Sequence, residues 1–325
     1  MSLIPDLLFA IVNLVFKRAL HANNFTDLVN MASANKALFR LTIPLLWREL
    51  PSAQPLLHLL PTNVVVRSVT YDPSDRIVWH YRLRRIPFRS DLDRLHLYTT
   101  HIRAIRACGR PSLNFSACHT FTKLFLDNLS LPTLPHLERL QLTDPSDGFI
   151  PYIPNLVHAS LRVLEIPNYA INHELIIAQL VAVSPPLHTL VYVDVHTRVG
   201  VFPKSIHLFP LLRSLTVFLP EPVAMQAIAS LPLLARLEIV IDPARQTIVM
   251  HQYNVLFHHR LASLIITIVD SPDLDVAFPS LKKLLFTFPI SCDKLTIIMP
   301  PRLQGRGIEA IVGDQNPSTS IHIRY

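Results

Sequence analysis

Two hydrophobic grammars run along this chain. Up to about residue 50, apolar residues recur at helical spacing: Leu7, Leu8, Ile11, Leu14 and Val15, then Leu28, Met31 and Ala32, then Leu38 and Leu41. That period predicts two or three short helices. Pro5 suits a first helical turn, where its missing N–H costs nothing, and Asp6 in the same turn faces the positive end of the helix dipole. Asn24 or Thr26 can cap a second helix with Asp27 in its first turn, and Pro44 can open a third short segment through Trp47. Pro51, Pro55 and Pro61 then mark a connection over 51–63.

From about residue 64 the pattern becomes apolar-x-x-apolar-x-apolar. Clear copies are LERLQL (137–142), LRVLEI (161–166), LHTLVY (187–192), LRSLTV (212–217), LARLEI (234–239), LASLII (261–266) and LKKLLF (281–286). Their starts lie 24, 26, 25, 22, 27 and 20 residues apart, close to the period of leucine-rich repeats. Weaker copies are VRSVTY (66–71), LDRLHL (92–97) and FTKLFL (121–126). The fourth and sixth positions alternate as in a half-buried strand, and the first turns its side chain into the same core. One unit cannot bury that row alone, but stacked units can, by pairing their strands in parallel. Pro135, Pro186, Pro210, Pro232 and Pro279 stand just ahead of the motif, where they end a return segment and favour extended backbone. ELIIAQLVAV (174–183) and PVAMQAIASL (222–231) read as helical returns. The predicted fold is α/β: an irregular leucine-rich-repeat solenoid over 64–325, a curved parallel sheet with helices and loops on its outer face, preceded by a small helical segment over 1–50.

Composition narrows the function more than the fold. Half of the 325 residues are apolar and 16% are charged, which excludes wholesale disorder. With 28 prolines against 6 glycines, glycine-rich phosphate loops are not a theme. The net charge of +7 either favours acidic partners or only keeps the surface solvated. Cys108, Cys118 and Cys292 form no C-x-x-C pair and read as small buried residues of a reducing compartment. The first apolar run, Leu7 to Val15, is too short to span a bilayer and wrongly flanked for a signal peptide. Cytoplasm or nucleus is therefore the expected location, with no membrane contact.

No nucleophile elbow, phosphate loop, dinucleotide fingerprint or zinc-protease motif occurs, and GRGIEAIVGD (305–314) reads as a turn. His258-His259 has no carboxylate or cysteine at ligand spacing. The expectation is a protein without catalytic activity, cofactor or metal. Trp47 and Trp79 read as packing anchors, and no nucleic acid is expected as a partner. What remains is a surface. The second, third and fifth positions of each unit face outward, and there stand Arg67, Arg94, Lys123, Arg139, Arg162, Arg213, Arg236, Lys282 and Lys283. With strands about 4.8 Å apart, these would form a basic column able to hold an acidic or phosphorylated target. With Glu138, Glu165 and Glu238 interspersed, they would equally be an ordinary soluble surface.

The opening IPDLLFAI (4–11) resembles the start of an F-box, and DLVNMASANKALFRL (27–41) resembles its second half. PLLWREL (44–50) is similar to the end of F-box segments in proteins of mushroom-type (basidiomycete) fungi, which often continue into leucine-rich repeats. The chain departs from that pattern in three ways. KRALHANNF lengthens the gap between Ile11 and Asp27, and Ala34 stands where a larger Val is usual. The ninth repeat positions, among them Pro145, Tyr169, Val195, Pro220 and Asp242, lack the usual Asn or Cys. The resemblance implies a substrate-recognition subunit of a cullin-RING ubiquitin ligase, which does no chemistry itself. Ile4, Pro5, Leu7, Leu8, Ile11, Leu28 and Met31 would then form the face that binds the ligase adaptor, and the repeats would hold a target protein. The alternative is a stand-alone repeat scaffold whose N-terminal helices only cap the solenoid.

Overall fold

A computed structural model describes residues 3–22, 25–52, 54–71, 77–85, 87–109, 134–143, 159–167, 180–181, 186–193, 204–220, 222–242, 260–270, 292–304 and 320–324. The chain divides into two compact units, Met1–Leu140 and Gln141–Tyr325.

The first unit opens with three helices, α1 (Leu3–Ala22), α2 (Thr26–Ala34) and α3 (Lys36–Leu46). Helix α1 is longer than its apolar pattern suggested, because the first residues of the KRALHANNF insertion continue it. Asp27 lies in the first turn of α2 as expected; the cap residue is Phe25, without a side-chain bond, Thr26 is already helical, and Asn24 lies outside the described residues. Asn35 separates α2 from α3, its side chain accepting the Leu38 N–H at 2.9 Å. That cap starts α3 well before Pro44, which lies inside the helix instead of opening a new one. A proline so near the C-terminal end leaves most of the helix's hydrogen bonds intact. Val12, Ala19 and Leu28 are the buried centre of the three helices, with Val15, Phe16, Met31, Leu38 and Leu41 packed around them.

Immediately after α3 comes β1 (Glu49–Leu50), paired in parallel with β4 (Ala104–Gly109). The parallel ladder thus begins inside the segment read as helical, through WREL at 47–50. Between these strands lie α4 (Gln54–His58), the strands β2 (Val65–Tyr71) and β3 (Ile77–Leu83), and α5 (Arg89–Thr99). Two weak repeat copies are corrected here. VRSVTY belongs to β2, which pairs antiparallel with β3 in a separate two-stranded sheet. LDRLHL is part of α5, where Leu92, Leu95 and Tyr98 are buried on one face. An apolar pair three residues apart fits one helical face as well as a repeat. The unit actually present is IRAI at 102–105, with Ile102 and Ile105 fully buried. Its neighbour is β5 (Arg139–Thr143): the Arg103 carbonyl accepts from Glu138 N–H and Arg139 N–H at 2.7 and 2.9 Å. Trp47 stacks on Tyr98 of α5 with ring centroids 4.5 Å apart, the packing role expected of it.

The second unit is a solenoid built on parallel strands: β6 (Val163–Pro167), β7 (Thr189–Val193), β8 (Ser214–Phe218), β9 (Arg236–Ile241), β10 (Leu261–Ile268), β11 (Cys292–Ile298) and β12 (Ser320–Arg324). Each pairs in parallel with the next in chain order. The register is that of the motif: Leu164, Leu190, Leu215, Leu237, Leu264 and Leu295 form one buried row. The sixth positions Ile166, Tyr192, Val217, Ile239, Ile266 and Ile297 form a second buried row. Helix α6 (Pro222–Ala229) is the return expected at 222–231, and it buries Ala224, Met225 and Ile228.

One correction concerns the order of rungs. The strand beside β10 is β11, in register from Leu261 to Cys292, so CDKLTI (292–297) takes the place read for LKKLLF. Residues 281–286 themselves, like FTKLFL at 121–126 and GRGIEAIVGD, lie outside the described residues. Among the described residues no helix is long and apolar enough to cross a membrane.

Candidate interaction surfaces

The first surface follows from the composition of α1. Its residues 7–16 are apolar on nearly every side, whereas a three-helix packing can cover only one face. Val12 and Ala19 point inward with Val15 and Phe16 beside them. Leu7, Ile11 and Leu14, at the i, i+4, i+7 spacing of a single stripe, stay 63%, 42% and 70% exposed. Of the residues expected to bind an adaptor, Leu7 and Ile11 therefore lie together on an open face. Leu8 and Met31 are half-buried. Leu28 is corrected: it has no exposed surface and belongs to the bundle core. Ile4 and Pro5 sit in the first turn of α1, and their side chains lie outside the described residues. Leu14 was legible as part of the helical period but was not assigned to the stripe.

The second surface is the outward side of the rungs. Within β-paired units the carbonyl of the second position accepts from the N–H groups of the second and third positions of the following unit. Arg48 to Arg103 and Ala104, Arg162 to His188 and Thr189, His188 to Arg213 and Ser214, and Arg213 to Ala235 and Arg236 all follow this rule, at 2.8–3.0 Å. The rule stacks second positions above one another.

The expected cations distribute unevenly over this surface. Arg162 and Arg213 occupy second positions, whereas Arg139 and Arg236 occupy third positions. Arg236 is in register with Ser214 and Ser263, so it does not continue the row of Arg213. It pairs instead with Glu238 of its own strand at 3.5 Å, and Thr216 and Thr267 reach the same carboxylate at 3.4 Å. Arg94 is corrected: it is exposed on helix α5, not on the sheet. Arg67 belongs to the β2–β3 hairpin and turns its guanidinium onto the carbonyls of His58 and Leu60 at 2.8 and 2.9 Å. Lys123, Lys282 and Lys283 lie outside the described residues.

A residue missed at the sequence level is His188, because only Arg and Lys were counted as cations. It stands at the second position between Arg162 and Arg213. Arg162 is held in place, its Nη1 donating to Ala159 and Leu161 carbonyls at 3.0 and 3.4 Å. By contrast, Arg103 pairs with Glu138 at 3.9 Å, Arg106 with Glu49 at 2.7 Å and Arg260 with Asp293 at 2.7 Å.

Cys292 is enclosed at the first position of its rung. Burial pushes its thiol up to about 11, which removes it from nucleophilic chemistry near neutral pH. Among the described residues no three His, Cys, Asp or Glu side chains group closely enough to hold a metal ion. No protein-family profile, curated protein or solved structure matches the chain.

Proposed function

We propose that this chain is a substrate-recognition subunit of a cullin-RING ubiquitin ligase, docking on the ligase adaptor through α1 and holding a target protein on its parallel solenoid. The observation that carries this reading is the exposed Leu7–Ile11–Leu14 stripe, on a helical segment whose sequence resembles an F-box. Burying a Leu or Ile side chain contributes about 1.5–3 kcal/mol, so three in line supply a useful docking energy. Ile4 and Pro5 precede the stripe on the same helix, and Leu8 and Met31 flank the core. Leu28 acts indirectly, by holding α1 against α2. The chain carries no chemistry of its own, needs no cofactor, and works in cytoplasm or nucleus.

Copurification with the adaptor tests the proposal. Wild type should retain the adaptor, and Ile11→Asp should abolish retention, because a carboxylate in an apolar contact has no partner. Circular dichroism should be unchanged, since Ile11 is outside the bundle core. Retention of the adaptor by Ile11→Asp rejects docking through this stripe, and none by wild type rejects adaptor docking.

A specific observation favours a second reading. Helix α3 runs directly into β1, and Trp47 and Leu50 hold the first and fourth positions of the first rung. In this reading the N-terminal helices serve as the cap that a repeat array requires. If wild type never captures the adaptor, the chain is a stand-alone interaction scaffold with that cap.

A further inference from the structure

We infer that Arg162, His188 and Arg213 form an anion-binding row that takes a phosphorylated segment of the target protein. The inference rests on the solenoid being the target-binding part and does not involve adaptor docking. The backbone bonds from the Arg162 carbonyl to His188 N–H (2.8 Å) and from the His188 carbonyl to Arg213 N–H (2.9 Å) put the three residues in register on neighbouring rungs. At about 4.8 Å per strand, the backbones of the two arginines stand roughly 10 Å apart with that of His188 between them. Among the described residues none of the three has a carboxylate partner, although cations on other rungs do.

Two further features make the row a site. Arg162 is pre-ordered by its bonds to the Ala159 and Leu161 carbonyls, both made by Nη1, so Nε and Nη2 keep their donors for a ligand. That lowers the side-chain entropy lost on binding. Thr189 and Ser214, paired across β7 and β8 at the adjoining third positions, supply neutral hydroxyl donors. A phosphate group carries nearly two charges and three acceptor oxygens, and so engages two guanidinium groups, an imidazole N–H and hydroxyls together. A carboxylate, with one charge and two oxygens, satisfies fewer of them. Leu211, exposed two residues ahead of Arg213 in the chain, adds an apolar side chain for a neighbouring residue of a peptide. Tyr192 and Phe218, the aromatic residues of β7 and β8, are both buried, so neither offers a stacking platform for bases.

The experiment uses the full chain, immobilised, and three peptide libraries with random flanks and a fixed central phosphoserine, serine or glutamate. Wild type should retain the phosphoserine library about tenfold over the serine library, as expected when one charge-assisted contact set is gained. It should also favour phosphoserine over glutamate. Arg213→Gln should lower phosphoserine retention by about tenfold, and R162Q/R213Q should bring it to the serine level. His188→Ala should give a smaller loss. The Arg213 side chain makes no hydrogen bond or ion pair among the described residues, so its variant should keep the wild-type circular dichroism and adaptor retention. Equal retention of the phosphoserine and serine libraries overturns the inference, as does unchanged retention by R162Q/R213Q. Equal retention of the glutamate library overturns the phosphate assignment. Preferential binding of a uridine-rich RNA or of phosphatidylserine vesicles, lost in the same variants, overturns the peptide assignment. Adaptor retention measured on the same proteins keeps this failure distinct from failure of the docking proposal.

Discussion

Leu215→Ala tests the solenoid at its centre. Leu215 is the fourth-position residue of β8, in register with Leu190 of β7 and Leu237 of β9, and all three are fully buried. The substitution removes about three carbon groups from an apolar setting, a transfer loss of about 2.4 kcal/mol at ~0.8 kcal/mol each. A cavity cost adds to this, because strand pairing on both sides fixes the neighbouring leucines and limits collapse. The total should fall at about 3–4 kcal/mol, in the middle of the range for buried Leu→Ala changes. Urea unfolding followed by circular dichroism measures it, with Leu211→Ala as control, since Leu211 precedes the same rung but is exposed. The control should change by less than about 1 kcal/mol. Hydrogen exchange should also speed up in β7 and β9, because each unit stabilises its neighbours. A Leu215→Ala loss below ~0.5 kcal/mol, or equal to that of Leu211→Ala, would refute the buried-row argument.

Two other tests probe titratable side chains, one half-buried and one buried. His58 Nε2 lies 2.6 Å from the Tyr81 hydroxyl, and burial first, then the Arg67 guanidinium, lowers its proton affinity below the ordinary value of 6.5. A depressed imidazole contributes stability that is present above the unfolded value and is lost as pH falls below it. The urea midpoint should therefore drop from about pH 6.5 downward, and less steeply in His58→Gln. An equally steep drop in His58→Gln would remove His58 as a cause. Cys292, enclosed with its thiol pushed up to about 11, should resist iodoacetamide at mildly alkaline pH until urea unfolds the chain. Mass-spectrometric detection of rapid labelling in the folded protein would contradict its burial.

The parallel architecture was legible in the sequence because the motif satisfies two conditions together. The apolar positions alternate as a strand requires, and they return at a period too regular for scattered leucines. Five consecutive copies, LRVLEI through LASLII, appear in the structure as neighbouring strands in the expected register. The helical period of the first 46 residues was equally plain. The limits of the ladder were not. LDRLHL carries the same leucine spacing but lies on a helix, and VRSVTY is drawn into an antiparallel hairpin by the strand that follows it. In the opposite direction, WREL, IRAI and CDKLTI are rungs although Trp, Ile or Cys replaces the leading leucine. Local spacing records which side chains can share a face, but only pairing with a neighbour decides whether that face is a strand or a helix.

The same distinction governs the candidate sites. Sequence places cations at outward positions, yet it does not say which of them meets a carboxylate. Arg236 is paired with Glu238, while Arg162, His188 and Arg213 stack by backbone register with no acidic partner among the described residues. Likewise, the period of α1 names its apolar residues without separating the stripe that packs from the stripe left open. Contact with α2 and α3 makes that choice, burying Val12 and Ala19 and leaving Leu7, Ile11 and Leu14 to solvent. The sequence by itself determines the repertoire of faces, since periodicity is a property of one element. Tertiary structure determines which faces are spent, since burial and charge pairing are properties of two.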